Sequence, residues 1–467
     1  MVFSSPTFLF IFLPVVFLLS LALKKSVKLS NALLIVASLV FYAWGEPVYV
    51  LLMVVTTLFN YLAALCMGGS KKLKKLMLAL VIVWDIGSLV LFKYTNLLVD
   101  TFNSVAGTSF ALPQIALPIG ISFFTFQALS YVIDVYRADA RVNRNFFDIL
   151  LFISLFPQLT AGPIIKYQDL EAQIRSRTLT AEKTAQGLRR FCFGLAKKAL
   201  IANTLALVAD KIFSLEAASV NAPIAWVGAI SYMLQIYFDF SGYSDMAIGL
   251  GRVFGFEFKE NFNYPYIALS MQDFWRRWHI SLSTWFKLYV YIPLGGNRKG
   301  KVRAGINKMI VFLLTGLWHG ASWSFALWGV YHGAFLMAES LGVLKTDRWP
   351  KLLRRIYVLL AVMLGFVLFR ADSLAQAWLI ISNMFAGWTF TATHVALLSS
   401  IVTPIVAITF AIAAFASTPF MHNKGERLSR KRPVWQGVIY TCAIVVFILS
   451  ALNLSTAAYN PFIYFRF

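Results

Sequence analysis

The sequence predicts an all-α polytopic membrane protein, and three observations predict it. Apolar residues make up 59% of the 467-residue chain and charged residues only 13%, whereas soluble domains carry roughly 45–50% and about 25%. The apolar residues gather in runs close to the ~20 residues that a helix needs to cross a bilayer. Lys and Arg, which give a net charge of +22, fall in short clusters between those runs, as the positive-inside rule describes. In a soluble protein such a charge would suggest nucleic acid. Distributed in this way it is a topology signal, with a second role open to it in attracting an anionic cytosolic substrate. No nucleic-acid partner is expected.

Taken in order, the clear spans are 7–23, 30–45, 48–67, 76–94, 115–136, 186–214, 224–250, 355–370, 395–418 and 434–452. The first lacks a basic leader and a cleavage site, so it is expected to be a retained helix rather than a signal peptide. Three further apolar stretches, 146–165, 265–294 and 306–342, contain Pro, Gly, Arg or His in mid-run. Irregular backbone at membrane depth survives only where protein or a water-filled cavity covers it, so function is expected there. The charged segment 166–185 predicts a cytosolic connector or interfacial helix. Placing the basic clusters after residues 23, 70, 136 and 294, and before 355 and 434, in the cytoplasm gives one consistent path with both termini outside. No internal repeat occurs. The expected organisation is a single membrane-embedded domain over 1–467, with 459–467 an extracytoplasmic aromatic tail. Cys66, Cys192 and Cys442 are far apart in sequence and offer neither a metal site nor a disulfide framework.

Five histidines occur. His319 lies in Leu317-Trp318-His319-Gly320, flanked on both sides by apolar residues. An ionisable side chain at that depth is a functional hypothesis by default, and histidine is suited to proton transfer near neutral pH. Gly316 and Gly320 would permit a bend or a close ligand approach. His279 lies in Phe274-Trp275-Arg276-Arg277-Trp278-His279, which suits either an interfacial helix with snorkelling arginines or a site where Arg276 and Arg277 meet a phosphate-bearing donor. His332, thirteen residues after His319, would point away from it on a continuous helix and is expected to be packing. His394 and His422 are expected to be solvated or interfacial.

Asp239 and Asp245 fall inside a span, six residues apart. They diverge on a helix, one to orient a buried histidine or arginine and the other to cap a local break, or both simply to satisfy neighbours. Ala161-Gly162-Pro163 predicts a re-entrant turn. The chain stops on Pro461-Phe462-Ile463-Tyr464-Phe465-Arg466-Phe467, a composition that fits an interfacial aromatic anchor.

The blocks Asp239-Phe240-Ser241-Gly242-Tyr243-Ser244-Asp245, Phe274 to Ser281 and Leu317 to Gly320, together with Gly120 to Phe123, Asp134 to Arg137 and the two chain ends, resemble the membrane-bound O-acyltransferase (MBOAT) family. Within it they are most similar to the bacterial alginate O-acetylation (AlgI) branch. The resemblance covers essentially the whole chain. It implies a ring of transmembrane and re-entrant helices around a central catalytic funnel. It implies His319 as the catalytic histidine and His279 as the second, with Trp318, Arg276, Arg277, Asp239 and Asp245 in donor binding or positioning. Tyr464 matches a C-terminal tyrosine that relays the acyl group in related systems.

The implied reaction moves acetyl groups from cytosolic acetyl-CoA across the bacterial inner membrane for O-acetylation of an exported or cell-envelope polysaccharide. An extracytoplasmic SGNH-hydrolase-like or AlgJ/AlgX-like partner would complete the transfer to the polymer. Acetyl-CoA is a substrate here, and no bound cofactor or metal is expected. The rivals are D-alanyl transfer to teichoic acid and a transporter without transferase chemistry, which broken helices and buried charges would also suit.

Overall fold

The computed structural model describes residues 1–111, 115–432 and 434–456. Tyr464 and the rest of the 459–467 tail lie outside the described residues. Every regular element among those described is helical, and the chain forms two compact units, residues 1–191 with 246–260 and residues 192–245 with 261–467.

The first unit holds α1 (Leu13–Ala22), α2 (Val27–Ala43), α3 (Tyr49–Cys66), α4 (Lys71–Ala106), α5 (Ile121–Arg137), α6 (Phe146–Ser154), α7 (Phe156–Leu159), α8 (Tyr167–Arg175) and the start of α9 (Ala181–Ala196). At 36 residues α4 far exceeds the 76–94 span read from the sequence. At 1.5 Å per residue it is about 54 Å long, more than the hydrocarbon core requires. Its buried positions Val81, Asp85, Leu89 and Lys93 recur every fourth residue. Asp85 accepts a 3.0 Å hydrogen bond from Asn60 of α3, as a buried carboxyl in an apolar bundle must find a partner. The irregular 146–165 stretch is a break between α6 and α7 at Leu155, and the Ser38 hydroxyl accepts the freed Phe156 N–H at 3.0 Å. Phe8, Phe12, Phe41 and Phe156 close the core of this unit at ring separations of 5.4–5.9 Å. The charged segment after it contains the short, polar-faced α8.

The second unit begins with α10 (Asn203–Phe213), reached from α9 through a π-helical turn at Lys197–Ala202. It continues through the 222–245 part of α11 (Ala222–Val253), then α12 (Met271–Arg277), α13 (Ile280–Phe286), α14 (Gly300–His319), α15 (Trp323–Leu341), α16 (Lys351–Arg370) and α17 (Leu374–Ala386). After these come α18 (Ala392–Ile401), α19 (Pro404–Ala416), α20 (Phe420–Lys431) and α21 (Val434–Thr456). The segment read as one span at 395–418 is instead two helices bent by 66°. Thr403 caps α19 and Pro404 occupies its first turn, where proline's missing N–H costs nothing. Among the described residues five helices are long and apolar enough to cross a membrane, or six if the bent pair is one span. The protein is therefore a multi-pass, all-α membrane protein.

α14 and α15 form a hairpin whose backbones touch. A Cβ at Gly316 would lie 2.2 Å from the Phe325 carbonyl oxygen, and one at Gly329 would lie 2.3 Å from that of Phe312. Only glycine permits that approach, and the hairpin carries His319 at its bend.

Candidate active site

The site in the second unit is built on a backbone clasp. The Asn263 N–H donates to the Arg277 carbonyl and the Ile280 N–H to the Asn261 carbonyl, each at 2.9 Å. This ties residues 261–263 to 277–280. Two non-glycine residues of the clasp, Tyr264 and His279, sit in the left-handed region at φ 45°. Such conformations cost of order 1–3 kcal/mol and persist where the surroundings enforce them, often at active sites. Here the clasp enforces the turn that separates α12 from α13 and directs His279 inward, where it is 1% exposed.

Asn261, fully buried, is the hub of this turn, and sequence reasoning missed it. Its Oδ1 accepts from the Ser281 N–H at 3.1 Å and the Ser281 hydroxyl at 2.9 Å, and faces His279 Nδ1 at 3.3 Å. Its Nδ2 donates to the Ser244 hydroxyl of α11 at 3.1 Å. The amide oxygen can only accept, so the ring nitrogen that faces it is the donor, which favours the His279 tautomer with its proton on Nδ1. The other ring nitrogen then carries the lone pair. The Phe240 ring meets the His279 imidazole edge-on at 4.7 Å.

His319 is the last residue of α14 and is 7% exposed. Trp318, Trp328 and Phe369 surround its ring at centroid distances of 5.0, 5.3 and 5.2 Å. Phe369 is fixed by its neighbour, since the Arg370 guanidinium donates to Asp210 at 2.6 Å and lies over the Phe213 ring. The two imidazoles stand 6.5 Å apart, too far to hydrogen-bond to each other. Trp318 touches His279 as well, at 6.0 Å. The structure thus brings together His279, Trp318 and His319, three of the residues singled out in the sequence.

The carboxylates behave otherwise. Asp239 pairs with Lys198 at 2.8 Å, both almost wholly buried, and Asp245 pairs with Lys197 at 2.6 Å. These pairs fit the reading in which the two carboxylates satisfy neighbours, and the two lysines lie at the start of the π turn Lys197–Ala202. Arg276 is exposed, whereas Arg277 donates to Asp273 at 2.9 Å and to the Asn263 carbonyl at 3.3 Å. Arg277 therefore braces the clasp. His332 does not share a helix with His319, contrary to the spacing argument, because the hairpin bend intervenes. It is fully buried among Trp275, Trp328 and Tyr331, with Gly365 clearing room for its ring. Among the described residues no group of His, Cys, Asp and Glu is placed to hold a metal ion.

Two buried imidazoles packed among aromatic rings can take a proton from one reacting group and position another. Comparison with known proteins fits this chemistry. Residues 41–375 match the membrane-bound O-acyltransferase family. The chain belongs to that family. As a member it is an O-acyltransferase. It is 40% identical, over the full length of both chains, to the probable alginate O-acetylase AlgI of Azotobacter vinelandii. It is 38% identical to the peptidoglycan O-acetyltransferase of Helicobacter pylori, over 82% of this chain and 80% of that one. The teichoic acid D-alanyltransferase of Bacillus subtilis is 27% identical over 54% of this chain and 68% of its own. His279, Asn261 and His319 all lie within the span matched to the O-acyltransferase family.

Proposed function

We propose that this O-acyltransferase moves acetyl groups from cytosolic acetyl-CoA across the bacterial inner membrane for O-acetylation of an exported or cell-envelope polysaccharide. The observation that carries the reading is the pair of buried imidazoles, His279 and His319, facing one another across 6.5 Å in an aromatic chamber. In the proposed step His319 takes the proton of an acceptor hydroxyl as its oxygen bonds to the thioester carbonyl carbon. His279, held by Asn261, positions the donor thioester for that attack. The carbon–sulfur bond then breaks, and the thiolate takes the proton from His319 and leaves as free CoA. Trp318 lies beside both rings.

The acceptor hydroxyl is proposed to be that of Tyr464, from which an extracytoplasmic SGNH-hydrolase-like or AlgJ/AlgX-like partner carries the acetyl group to the polymer. Acetyl transfer is favoured over D-alanyl transfer because similarity to the O-acetylases runs the full chain at 40% identity, against about half the chain at 27%. The test is purified protein in lipid nanodiscs given acetyl-CoA labelled in the acetyl group. Release of free CoA with label on the acceptor is expected. Transfer only from an acylated carrier protein would replace this reading with the D-alanyl one.

A further inference from the structure

We propose that the polar cavity at the head of α14 holds the phosphate-bearing nucleotide end of the acyl donor; the assignment rests on the acetyl-CoA reading above. The cavity measures about 380 Å³ and is lined by Gln272, Asn297, Lys301, Lys308, Glu339 and Ser340, among others. Small-molecule sites run from about 300 to 1,000 Å³. It lies at the opposite end of α14 from His319.

Its charge is positive. Among the described residues neither Lys301 nor Lys308 has a carboxylate oxygen within 4 Å; Lys308 bonds to the neutral Ser340 hydroxyl. The one acid, Glu339, is committed elsewhere: it accepts the Met271 and Gln272 N–H groups at 2.7 and 3.0 Å and the Tyr357 hydroxyl at 3.2 Å. Glu339 therefore caps α12 and pairs with neither ammonium group, although its charge acts on Lys308, and the lining sets two ammonium groups against one carboxylate. Arg276 adds its field to that of Lys308, and Arg298, Lys299 and Arg303 flank the same turn. Phosphates are recognised by such groups.

The wall is also fixed in advance. Asn307 donates to the Leu294 and Gly296 carbonyls at 3.3 and 3.1 Å, which pins the 294–297 loop to α14. Gly300, at φ 84°, makes the left-handed turn that opens the helix beside the lysines.

The helix then serves as a ruler. Lys308 and His319 are eleven positions apart on one continuous helix, or about 16 Å at 1.5 Å per residue. The arm of CoA from its diphosphate to the thioester sulfur is thirteen bonds, about 15 Å when extended at ordinary bond lengths. A donor whose phosphates sit at Lys308 therefore delivers its thioester at His319.

The experiment compares acetyl-CoA, acetyl-3′-dephospho-CoA and S-acetylpantetheine as donors for the full-length enzyme in nanodiscs. Wild type is expected to prefer acetyl-CoA. Lys301→Gln and Lys308→Gln should each raise KM for acetyl-CoA about tenfold with kcat within twofold, and leave KM for S-acetylpantetheine unchanged. Lys308→Arg should retain the wild-type KM. An unchanged KM for acetyl-CoA in both glutamine variants overturns the assignment, as does an equal loss with S-acetylpantetheine, which would make the lysines structural. A wild type that releases no CoA from acetyl-CoA overturns the donor reading itself, a result distinct from either.

Discussion

His279 and His319 face one another at 6.5 Å with their rings tilted by 55°, and Trp318 touches both. In the proposed mechanism His319 moves the proton and His279 positions the donor, so both are needed. His319→Ala should lower acetyl transfer by at least ~100-fold, the weight of a general base, and abolish polymer O-acetylation at normal insertion levels. His279→Ala should cost about 100-fold, through misplacement of the donor. Polymer O-acetyl content in a deletion strain carrying each variant is the measurement. Wild-type O-acetyl content in either strain would remove that histidine from the chemistry.

Asn261 reaches the reaction only through His279. Asn261→Ala should lower kcat by about tenfold, near the worth of one hydrogen bond, with KM unchanged. Asn261→Asp, which keeps the acceptor, should retain more activity than the alanine variant. A rise in KM at constant kcat would instead place Asn261 in donor binding.

The two lysine–aspartate pairs differ in burial and should differ in worth. Lys198→Met leaves Asp239 buried without its cation and should destabilise the protein by roughly 3–5 kcal/mol, while Lys198→Met with Asp239→Leu should recover most of the loss. Lys197→Met, in the half-buried pair with Asp245, should cost no more than about 1 kcal/mol. Thermal unfolding in detergent reads all three, and equal losses from the two single variants would contradict the ordering.

Gly316 and Gly329 admit no side chain without separating α14 from α15. Gly316→Val should destabilise by about 1–3 kcal/mol, as overpacking does, and lower activity further by displacing His319. Gly87→Ala, where a Cβ meets nothing within 4 Å, is the control and should leave both unchanged. A Gly316→Val protein as stable and active as wild type would show that the hairpin contact is dispensable.

Tyr464→Phe keeps the ring and removes the hydroxyl. If the tyrosine carries the acetyl group, polymer acetylation is lost while the protein still inserts. Full acetylation in the Phe variant would reduce the tail to an anchor.

Much of this architecture was written in composition. Apolar runs located the helices at α1 to α3 and α21 because a lipid-facing helix must be apolar along its whole length. The blocks around His279 and His319 were legible because ionisable groups at membrane depth stand out against that background. Three features were not. Asn261 carries no signal of its own, since a lone asparagine in a loop is ordinary until the fold brings Ser281 and His279 to its oxygen. The partners of Asp239 and Asp245 lie more than forty residues earlier in the chain, at Lys198 and Lys197, a pairing that local spacing does not show. His332 packs as expected, but the bend after His319 that separates the two histidines was not visible in their spacing.

The glycine contact between α14 and α15 also bears on how such an enzyme diversifies. Main chain, rather than the shape of neighbouring side chains, fixes where the backbone of His319 stands. The aromatic lining at Phe325 and Phe369 can therefore be trimmed or enlarged by mutation while that backbone keeps its coordinates. Variation at those two phenylalanines can thus reshape the surroundings of His319 without moving the main chain that carries it.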